Sequence, residues 1–260
     1  MERINDLLDI KFQRKLRNSF LDNGYIFFPN FLNSEEIELV KNKLRTFIAE
    51  KVPTMPKEQV YYEDIKDEDT LKQLQQLFKY DPFFFDMMFG SRFEKLASIL
   101  LDDGVVGKNI QYFNEPPRIG KATPPHQDGY YFMLEPNEAV TMWMALESVD
   151  EKNGCVRYVK KSHKYGIRSH GRTETLGFSQ GITDYGCLND VENEVFYPTK
   201  AGDLLVHHAL TIHKADANKS DRTRRAMGFI YYANSAKENK KAHALYAKNL
   251  DKELKSSNKI

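Results

Sequence analysis

Val140-Thr141-Met142-Trp143-Met144-Ala145-Leu146 is the stretch that decides the fold. Val140, Met142, Met144 and Leu146 alternate with Thr141, Trp143 and Ala145. Successive side chains of a strand point to opposite faces, so this period of two predicts a β-strand. Outward from it, Cys155-Val156-Arg157-Tyr158-Val159, Asp203-Leu204-Leu205-Val206-His207 and Ala226-Met227-Gly228-Phe229-Ile230-Tyr231-Tyr232 are further short β-prone runs. Gly, Pro, Asn and Asp clusters separate them, the pattern of an antiparallel sandwich or barrel. The stretch from about Lys164 to Thr199 has no clear period and many Gly, Thr and Ser residues. A loop of that length inside a compact domain is expected to be functional.

Before Asp103-Gly104 the period is helical. Asn33 with Glu36 three positions later is a capping-box signature, in which each residue takes an orphan backbone donor of the first turn. Behind it Ile37, Val40, Leu44, Phe47 and Ile48 make an apolar stripe to about Glu50. Further helices are expected over Phe12 to Leu21, over Thr70 to Phe78 (Leu71, Leu74, Leu77) and over Ser91 to Leu101, with Ser91 as cap. Pro53, Pro56 and Pro82 punctuate this half. From Ala236 the chain is Lys-rich and reads as a solvated helix or tail. With no repeat and no linker, one domain over 1–260 is expected. It has a helical part over about 1–103, a β core over about 104–235 and a C-terminal tail over 236–260.

Composition narrows the function. Hydrophobic residues at 41% and aromatics at 12% exclude a disordered or collagen-like chain. The 38 Lys+Arg against 37 Asp+Glu leave a net charge of +1, which argues against nucleic acid or an anionic membrane as partner. Apolar runs such as Tyr25-Ile26-Phe27-Phe28 are too short to span a bilayer. Cys155 and Cys187 are too few for a disulfide scaffold, and the opening Met1-Glu2-Arg3-Ile4-Asn5-Asp6 has no signal-peptide core, so a cytoplasmic location is expected. Asn218-Lys219-Ser220 fits a glycosylation triplet but reads as a turn, and Asn258-Lys259-Ile260 is not a peroxisomal ending.

The densest chemical signal is Pro124-Pro125-His126-Gln127-Asp128-Gly129. In a strand His126 and Asp128 aim an imidazole and a carboxylate at one point. These are two corners of the two-His-one-carboxylate triad of non-haem Fe(II) oxygenases. Taken alone, the pair reads more simply as a hydrogen-bonded strand end. The second histidine is to be sought among His207, His208 and His213. His207 and His208 close an apolar strand, as buried hydrogen-bonded residues do; His213 stands where the sequence turns polar. Eleven residues further on, Arg224 shares one strand face with Ala226 and Gly228, while Arg225, Met227 and Phe229 share the other. A guanidinium followed by two small residues makes room for a carboxylate held bidentately.

These pieces together resemble the phytanoyl-CoA dioxygenase family. The resemblance runs from Asp22-Asn23-Gly24-Tyr25 to Tyr231-Tyr232. In order it takes in Asn114-Glu115-Pro116-Pro117, His126-Gln127-Asp128, the Val140 strand through Glu147, Asn153-Gly154-Cys155 leading to Ser162-His163-Lys164, Gly202-Asp203-Leu204, and His213 through Asn218 to Arg224. It implies a mainly β chain with α elements: a double-stranded β-helix (jelly roll, cupin-like) core flanked by N-terminal helices. It implies iron(II), with 2-oxoglutarate and O2 as co-substrates and ascorbate as a stimulant. By it His126, Asp128 and His213 are the metal ligands and catalytic residues, Arg224 anchors the far carboxylate of 2-oxoglutarate, and Trp143 and Gln111 contact the co-substrate.

The implied reaction hydroxylates a small organic substrate and releases succinate and CO2. Relatives that halogenate have a small residue where this chain has Asp128, so hydroxylation is expected. One departure is Ala215, where the family often has a hydroxyl residue two positions after the distal histidine. Tyr130, Tyr131, Phe132 and Met133, with His170, Arg172 and Gln180 of the 164–199 loop, are the candidate substrate contacts. The aromatics among them could cage a quaternary ammonium but read more simply as core. The alternatives are a cupin-type metalloenzyme that does not use 2-oxoglutarate and a non-catalytic ligand-binding jelly roll. The partner is a small molecule, with no nucleic acid or membrane; the sequence assigns no oligomeric state.

Overall fold

The computed structural model describes Leu7, residues 9–173, Thr175, residues 179–246 and Lys248. The opening six residues, parts of the 164–199 loop and the end of the tail lie outside the described residues.

The helices α1 (Ile10–Asn23), α2 (Ser34–Glu50) and α4 (Arg92–Leu101) form where the apolar stripes place them, and α3 (Pro82–Met88), where the sequence suggested only a proline break, starts on that proline with Asp81 as its cap. Their starts follow from caps. The Asn33 side chain accepts from the Glu36 amide at 3.0 Å while the Glu36 carboxylate accepts from the Asn33 amide at 2.8 Å. Ser91 accepts from the amides of Phe93 and Glu94. The helix expected over 70–78 is not formed. There the chain makes β3 (Leu71–Leu74), breaks at Gln76 in the left-handed region (φ 62°), and continues as a 3-10 turn, Leu77–Lys79. Every residue of β3 is buried, Lys72 and Gln73 included, because the segment is sandwiched into a sheet. Cross-strand pairing overrode a three-residue spacing too short to hold a helix on its own.

The large sheet is antiparallel and runs in the order β1-β12-β7-β14-β4-β3-β2. Its strands are β1 (Tyr25–Phe28), β2 (Val60–Tyr62), β3, β4 (Val105–Glu115), β7 (Ala139–Ala145), β12 (Leu204–His208) and β14 (Arg224–Ala233). The smaller sheet, β11-β8-β13-β5, is built from β5 (Thr123–His126), β8 (Val156–Val159), β11 (Glu194–Tyr197) and β13 (His213–Ala215). The expected division at residue 103 is therefore not a structural boundary, since β1, β2 and β3 of the helical half belong to the large sheet. The 164–199 region is also more ordered than its lack of period suggests. It carries the hairpin β9 (His170–Arg172) with β10 (Gln180–Ile182), the short helix α6 (Leu188–Glu192) and strand β11. After the first helix turn at α5 (Asp128–Phe132), β6 (Leu134–Glu135) pairs with β15 (Lys237–Glu238), which ties the start of the tail to the body.

The two faces of β7 show how the sequence positions the polar residues between the sheets. Val140, Met142 and Met144 pack with Met227, Phe229 and Tyr231 against Phe20, Val40, Phe47, Phe93 and Leu96 of the helices. Phe93 stacks on Phe229 with centroids 4.1 Å apart. Each such fully buried side chain contributes about 1.5–3 kcal/mol, so this helix-backed face carries most of the apolar stabilisation. Trp143 and Ala145, on the other face, meet Leu205 and Ala226 and the smaller sheet's Val156 and Tyr158. The side facing the smaller sheet also bears Thr141, His207 and Arg224, so polar chemistry collects between the sheets.

Candidate active site

The register of the smaller sheet puts His213 directly opposite His126, and Tyr158 directly opposite His213 on the other flank. Cross-strand neighbours on one face lie side by side, and the two imidazole centroids are 4.1 Å apart. Asp128 joins them by a route slightly different from the strand alternation expected. β5 ends at His126, Gln127 stays extended (φ −124°, ψ 125°), and Asp128 is the first residue of α5. One extended residue suffices to return Asp128 to the face of His126. Its Oδ1 lies 3.4 Å from His126 Nε2 and 3.6 Å from His213 Nε2. One ligand atom from each of the three residues can be chosen so that all lie within 4.8 Å of one another.

Backbone carbonyls fix both tautomers. His126 Nδ1 is 2.8 Å from the Pro124 carbonyl and His213 Nδ1 is 3.0 Å from that of Thr211. A carbonyl only accepts, so Nδ1 carries the proton and Nε2 turns a lone pair toward Asp128. Burial pushes the His213 pKa well below the ordinary histidine value, with the neighbouring His126 and His207 acting in the same direction. Burial would raise the Asp128 pKa, but His213, His126 and His207 hold it well below the usual carboxylate range. Two neutral imidazoles and one ionised carboxylate are the donor set a divalent first-row metal takes, and three ligands on one side leave positions open. The residues fit an iron site.

Asp128 is held by more than the two histidines. Its Oδ2 accepts from Thr141 Oγ1 at 2.5 Å and lies 3.1 Å from His207 Nε2. His207 Nδ1 is in turn 3.1 Å from the Tyr158 hydroxyl, which burial pushes well above its ordinary pKa. His208, by contrast, faces away; its Nε2 is 3.4 Å from Glu138 and its ring lies toward Phe20 and His163. Of the three candidate histidines on this stretch, His213 alone joins His126 and Asp128 in the metal-binding group found among the described residues.

A second polar cluster lies on the side of the large sheet that faces the smaller one. Arg224, Ala226 and Gly228 share its face, as their alternation requires, and register pairs Arg224 with Glu115, Ala226 with Phe113 and Gly228 with Gln111. Trp143 is the other neighbour of Gly228, so Gln111, Gly228 and Trp143 form one row across three strands. The row depends on glycine, because a Cβ at position 228 would come within 2.7 Å of the Phe113 ring. Arg224 is 6% exposed; its Nη2 lies 3.4 Å from Glu115 Oε1, and its Nε has no partner among the described residues. Burial raises the Glu115 pKa, opposed by Arg224 and Lys72. Lys72, 2% exposed, pairs with Glu63 and lies 4.0 Å from Glu115. Gln111 accepts from Gln73 at 3.0 Å. Asn218 holds the loop that delivers Arg224, donating to the carbonyls of Glu115 and Arg222, as the turn reading of that triplet expects.

The candidate substrate contacts divide. Tyr131 lies edge-on to His126 at 6.0 Å, donates to the Gln180 carbonyl at 2.7 Å and meets the ring of Tyr246. Tyr130 stacks on His170 at 4.3 Å. Gln127 pins this wall, donating to the carbonyls of Gly166 and Leu210 and accepting from the Arg168 amide. Phe132 turns away into a small apolar cluster with Leu134 and Tyr232, and Arg172 is exposed on β9. Sequence reasoning missed Thr141, Tyr158 and Lys72, and, for His207, the partner of its hydrogen bond. The alternation of the Val140 strand already sets Thr141 on the face of Trp143, a usable signal; Lys72 was hidden by the helix expected there.

The family model for phytanoyl-CoA dioxygenase matches residues 20–226. The peroxisomal phytanoyl-CoA dioxygenase of Bos taurus is 26% identical over 243 residues, covering 86% of this chain and 68% of that protein. The phytanoyl-CoA dioxygenase of Arabidopsis thaliana is 31% identical over 189 residues, covering 68% of this chain and 64% of that protein. The chain thus spans about two thirds of the length of these relatives. Among solved structures, the epimerase SnoN in complex with Fe3+, alpha ketoglutarate and nogalamycin RO superposes with a TM-score of 0.71 at 20% identity, over 88% of this chain and 87% of that one. EvdO2 from Micromonospora carbonacea var. aurantiaca, complexed with 2-oxoglutarate, gives 0.69 at 22%, over 86% and 91%. The likeness to these structures is one of fold, the jelly-roll core of two facing sheets.

Proposed function

The chain belongs to the phytanoyl-CoA dioxygenase family of iron(II)- and 2-oxoglutarate-dependent oxygenases, and from that premise we propose that it hydroxylates a carbon of a small organic molecule. The observation that carries this reading is the convergence of His126, Asp128 and His213, together with the buried, incompletely paired guanidinium of Arg224 on the same side of the large sheet. In this reading the three residues hold the iron. Arg224 forks onto the far carboxylate of 2-oxoglutarate, and Trp143 and Gln111 wall its chain. Bound iron supplies the coupling of oxidative decarboxylation, to succinate and CO2, with oxygen transfer to substrate.

The chain's own contribution is preparation. Carbonyls hold the Nδ1 protons of His126 and His213, so each ring presents Nε2, and Asp128 is held well below the usual carboxylate range, so binding need not displace a proton from the carboxylate. Arg224 meets its carboxylate in a pocket closed to water, where a charge-assisted bidentate pair is strongest. When Glu115 takes up a proton, favoured by its raised pKa, it releases its claim on Arg224 and leaves Lys72 to Glu63. Tyr131, Tyr130 and His170 close the opposite side, where a substrate carbon has to reach the metal.

A cytoplasmic location goes with this reading, supported by the free thiols of Cys155 and Cys187. No helix among the described residues is long and apolar enough to cross a membrane. The deciding experiment is anaerobic titration of 2-oxoglutarate into the Fe(II) protein, following the metal-to-ligand charge-transfer band. A saturable band supports the oxygenase; its absence would return the site to a cupin-type metalloenzyme or a binding protein.

A further inference from the structure

Thr141 and His207 are directly opposed residues on neighbouring strands, β7 and β12. Their side chains converge on one atom, Asp128 Oδ2, at 2.5 and 3.1 Å, while Oδ1 faces the two histidines of the triad. The hydrogens of this network can be assigned from chemistry alone. An ionised carboxylate only accepts, so His207 Nε2 must donate to it. In the neutral ring Nδ1 is then the acceptor, and the Tyr158 hydroxyl at 3.1 Å must be its donor. Tyr158 is fully buried and stacked on Tyr25, with centroids 4.9 Å apart and planes 6° apart, so the hydroxyl is held in place. The run Tyr158–His207–Asp128 therefore has one direction of donation and crosses from the smaller sheet to the larger and back to the metal loop.

A carboxylate whose two oxygens are both free can grip a cation through both and use two coordination positions. With two donors on Oδ2, Asp128 has one oxygen left to give. We propose that His207, oriented by Tyr158 and aided by Thr141, is a positioning residue that restricts Asp128 to a one-oxygen ligand and so keeps open the position a chelating 2-oxo acid needs. The inference rests on the metal-site reading above and deepens it. His207 acts through Asp128 and touches neither co-substrate nor substrate.

The test compares His207→Phe, which keeps the ring's bulk and loses the donor, with His207→Gln, which keeps an N–H. Two readouts are needed. Water-proton relaxivity of the Mn(II)-loaded protein counts metal-bound waters without any 2-oxo acid, and the charge-transfer titration measures 2-oxoglutarate on the Fe(II) protein. His207→Phe should drop the count from about three waters to about two. It should raise the 2-oxoglutarate midpoint about 10-fold or more, the scale of losing a partner of a metal ligand. His207→Gln should recover most of both, and His208→Gln should change neither. Thr141→Val, which removes the other donor, should move both readouts the same way, and decides the matter if His207→Phe does not fold. An unchanged water count and midpoint in the folded variants would overturn the proposal. So would His207→Gln as impaired as His207→Phe, which would make the ring a packing element. A wild-type protein with no charge-transfer band but the expected relaxivity pattern would refute the 2-oxoglutarate reading and leave the role of His207 standing.

Discussion

The metal cluster and the Arg224 cluster lie on the same side of the large sheet, but each is incomplete in a different way. Around Asp128, Oδ2 has Thr141 and His207 and each histidine is locked by a carbonyl, while Oδ1 and the Nε2 lone pairs of His126 and His213 are three acceptors turned to one point, a set that a cation completes. Around Arg224, Nε and the Glu115 Oε2 are buried with no partner among the described residues, and the Arg224–Glu115 approach is a loose 3.4 Å. Buried polar atoms left unpaired cost about 1–3 kcal/mol each. A protein tolerates that where a ligand is to complete the set. On the proposed reading the metal end waits for a small cation, and the arginine end for a visitor that brings its own oxygens.

Four sets of substitutions test this contrast. The largest effect belongs to the metal end. Ala in place of His126, Asp128 or His213 should each reduce turnover to background and loosen Fe(II), measured by metal titration. A variant that keeps tight iron would remove that residue from the ligand set.

Next comes Arg224→Ala. Removing one partner of a buried charge pair costs about 2–5 kcal/mol, and 1.4 kcal/mol is tenfold. The 2-oxoglutarate midpoint should therefore rise roughly 30-fold or more with Fe(II) binding largely intact. Arg224→Lys should rescue little, since an ammonium has no fork. Arg225, on the opposite face and paired with Glu147 at 3.0 Å, is the control. A larger loss in Arg225→Ala than in Arg224→Ala would break the assignment.

A smaller effect is expected at Glu115. Its carboxyl titrates above the ordinary value, so its charged form, which opposes an incoming carboxylate, gains population as pH rises. Affinity for 2-oxoglutarate should thus strengthen as pH falls toward the Glu115 pKa, and Glu115→Gln should bind more tightly and lose that slope. Weaker binding in Glu115→Gln would mean that the carboxylate aims Arg224 instead of competing for it. The smallest change is Ala215→Ser. Ala215 lies two residues from His213 on the same strand and is buried, so a hydroxyl there is placed to donate one further hydrogen bond to the visitor. At about 0.5–1.5 kcal/mol for such a bond, 2-oxoglutarate should bind up to about tenfold more tightly by the same titration.

What could be read from sequence follows the same divide. The period of two in Val140 to Leu146 and the Asn33–Glu36 box are local patterns, and local physics decided them in the structure. The faces taken by His126, Asp128 and Arg224 were legible because short spacings fix which way a side chain points. Lys72 was not legible, since its burial comes from β3 lying between β2 and β4, the latter far along the chain, and an apparent helical spacing of three leucines concealed it. The short strand at Tyr25 was read only as an apolar run, although it forms the edge of the large sheet beside β12. His207 was legible as buried and hydrogen-bonded; its partner was not, because that depends on how far apart two sheets sit.

The opposition of His126 and His213 across β5 and β13 has a further consequence. These ligands stand 87 residues apart in the chain, and they meet only because two strands are in register. The unfolded chain has no such site, so metal binding free energy is, nearly whole, folding free energy. The ion behaves as a removable cross-link: by mass action a concentration of 100 times its dissociation constant adds about 2.7 kcal/mol to the native state. For a protein whose total margin is on the order of 5–15 kcal/mol, the supply of iron sets how much of the enzyme survives in the cell as well as how fast it works.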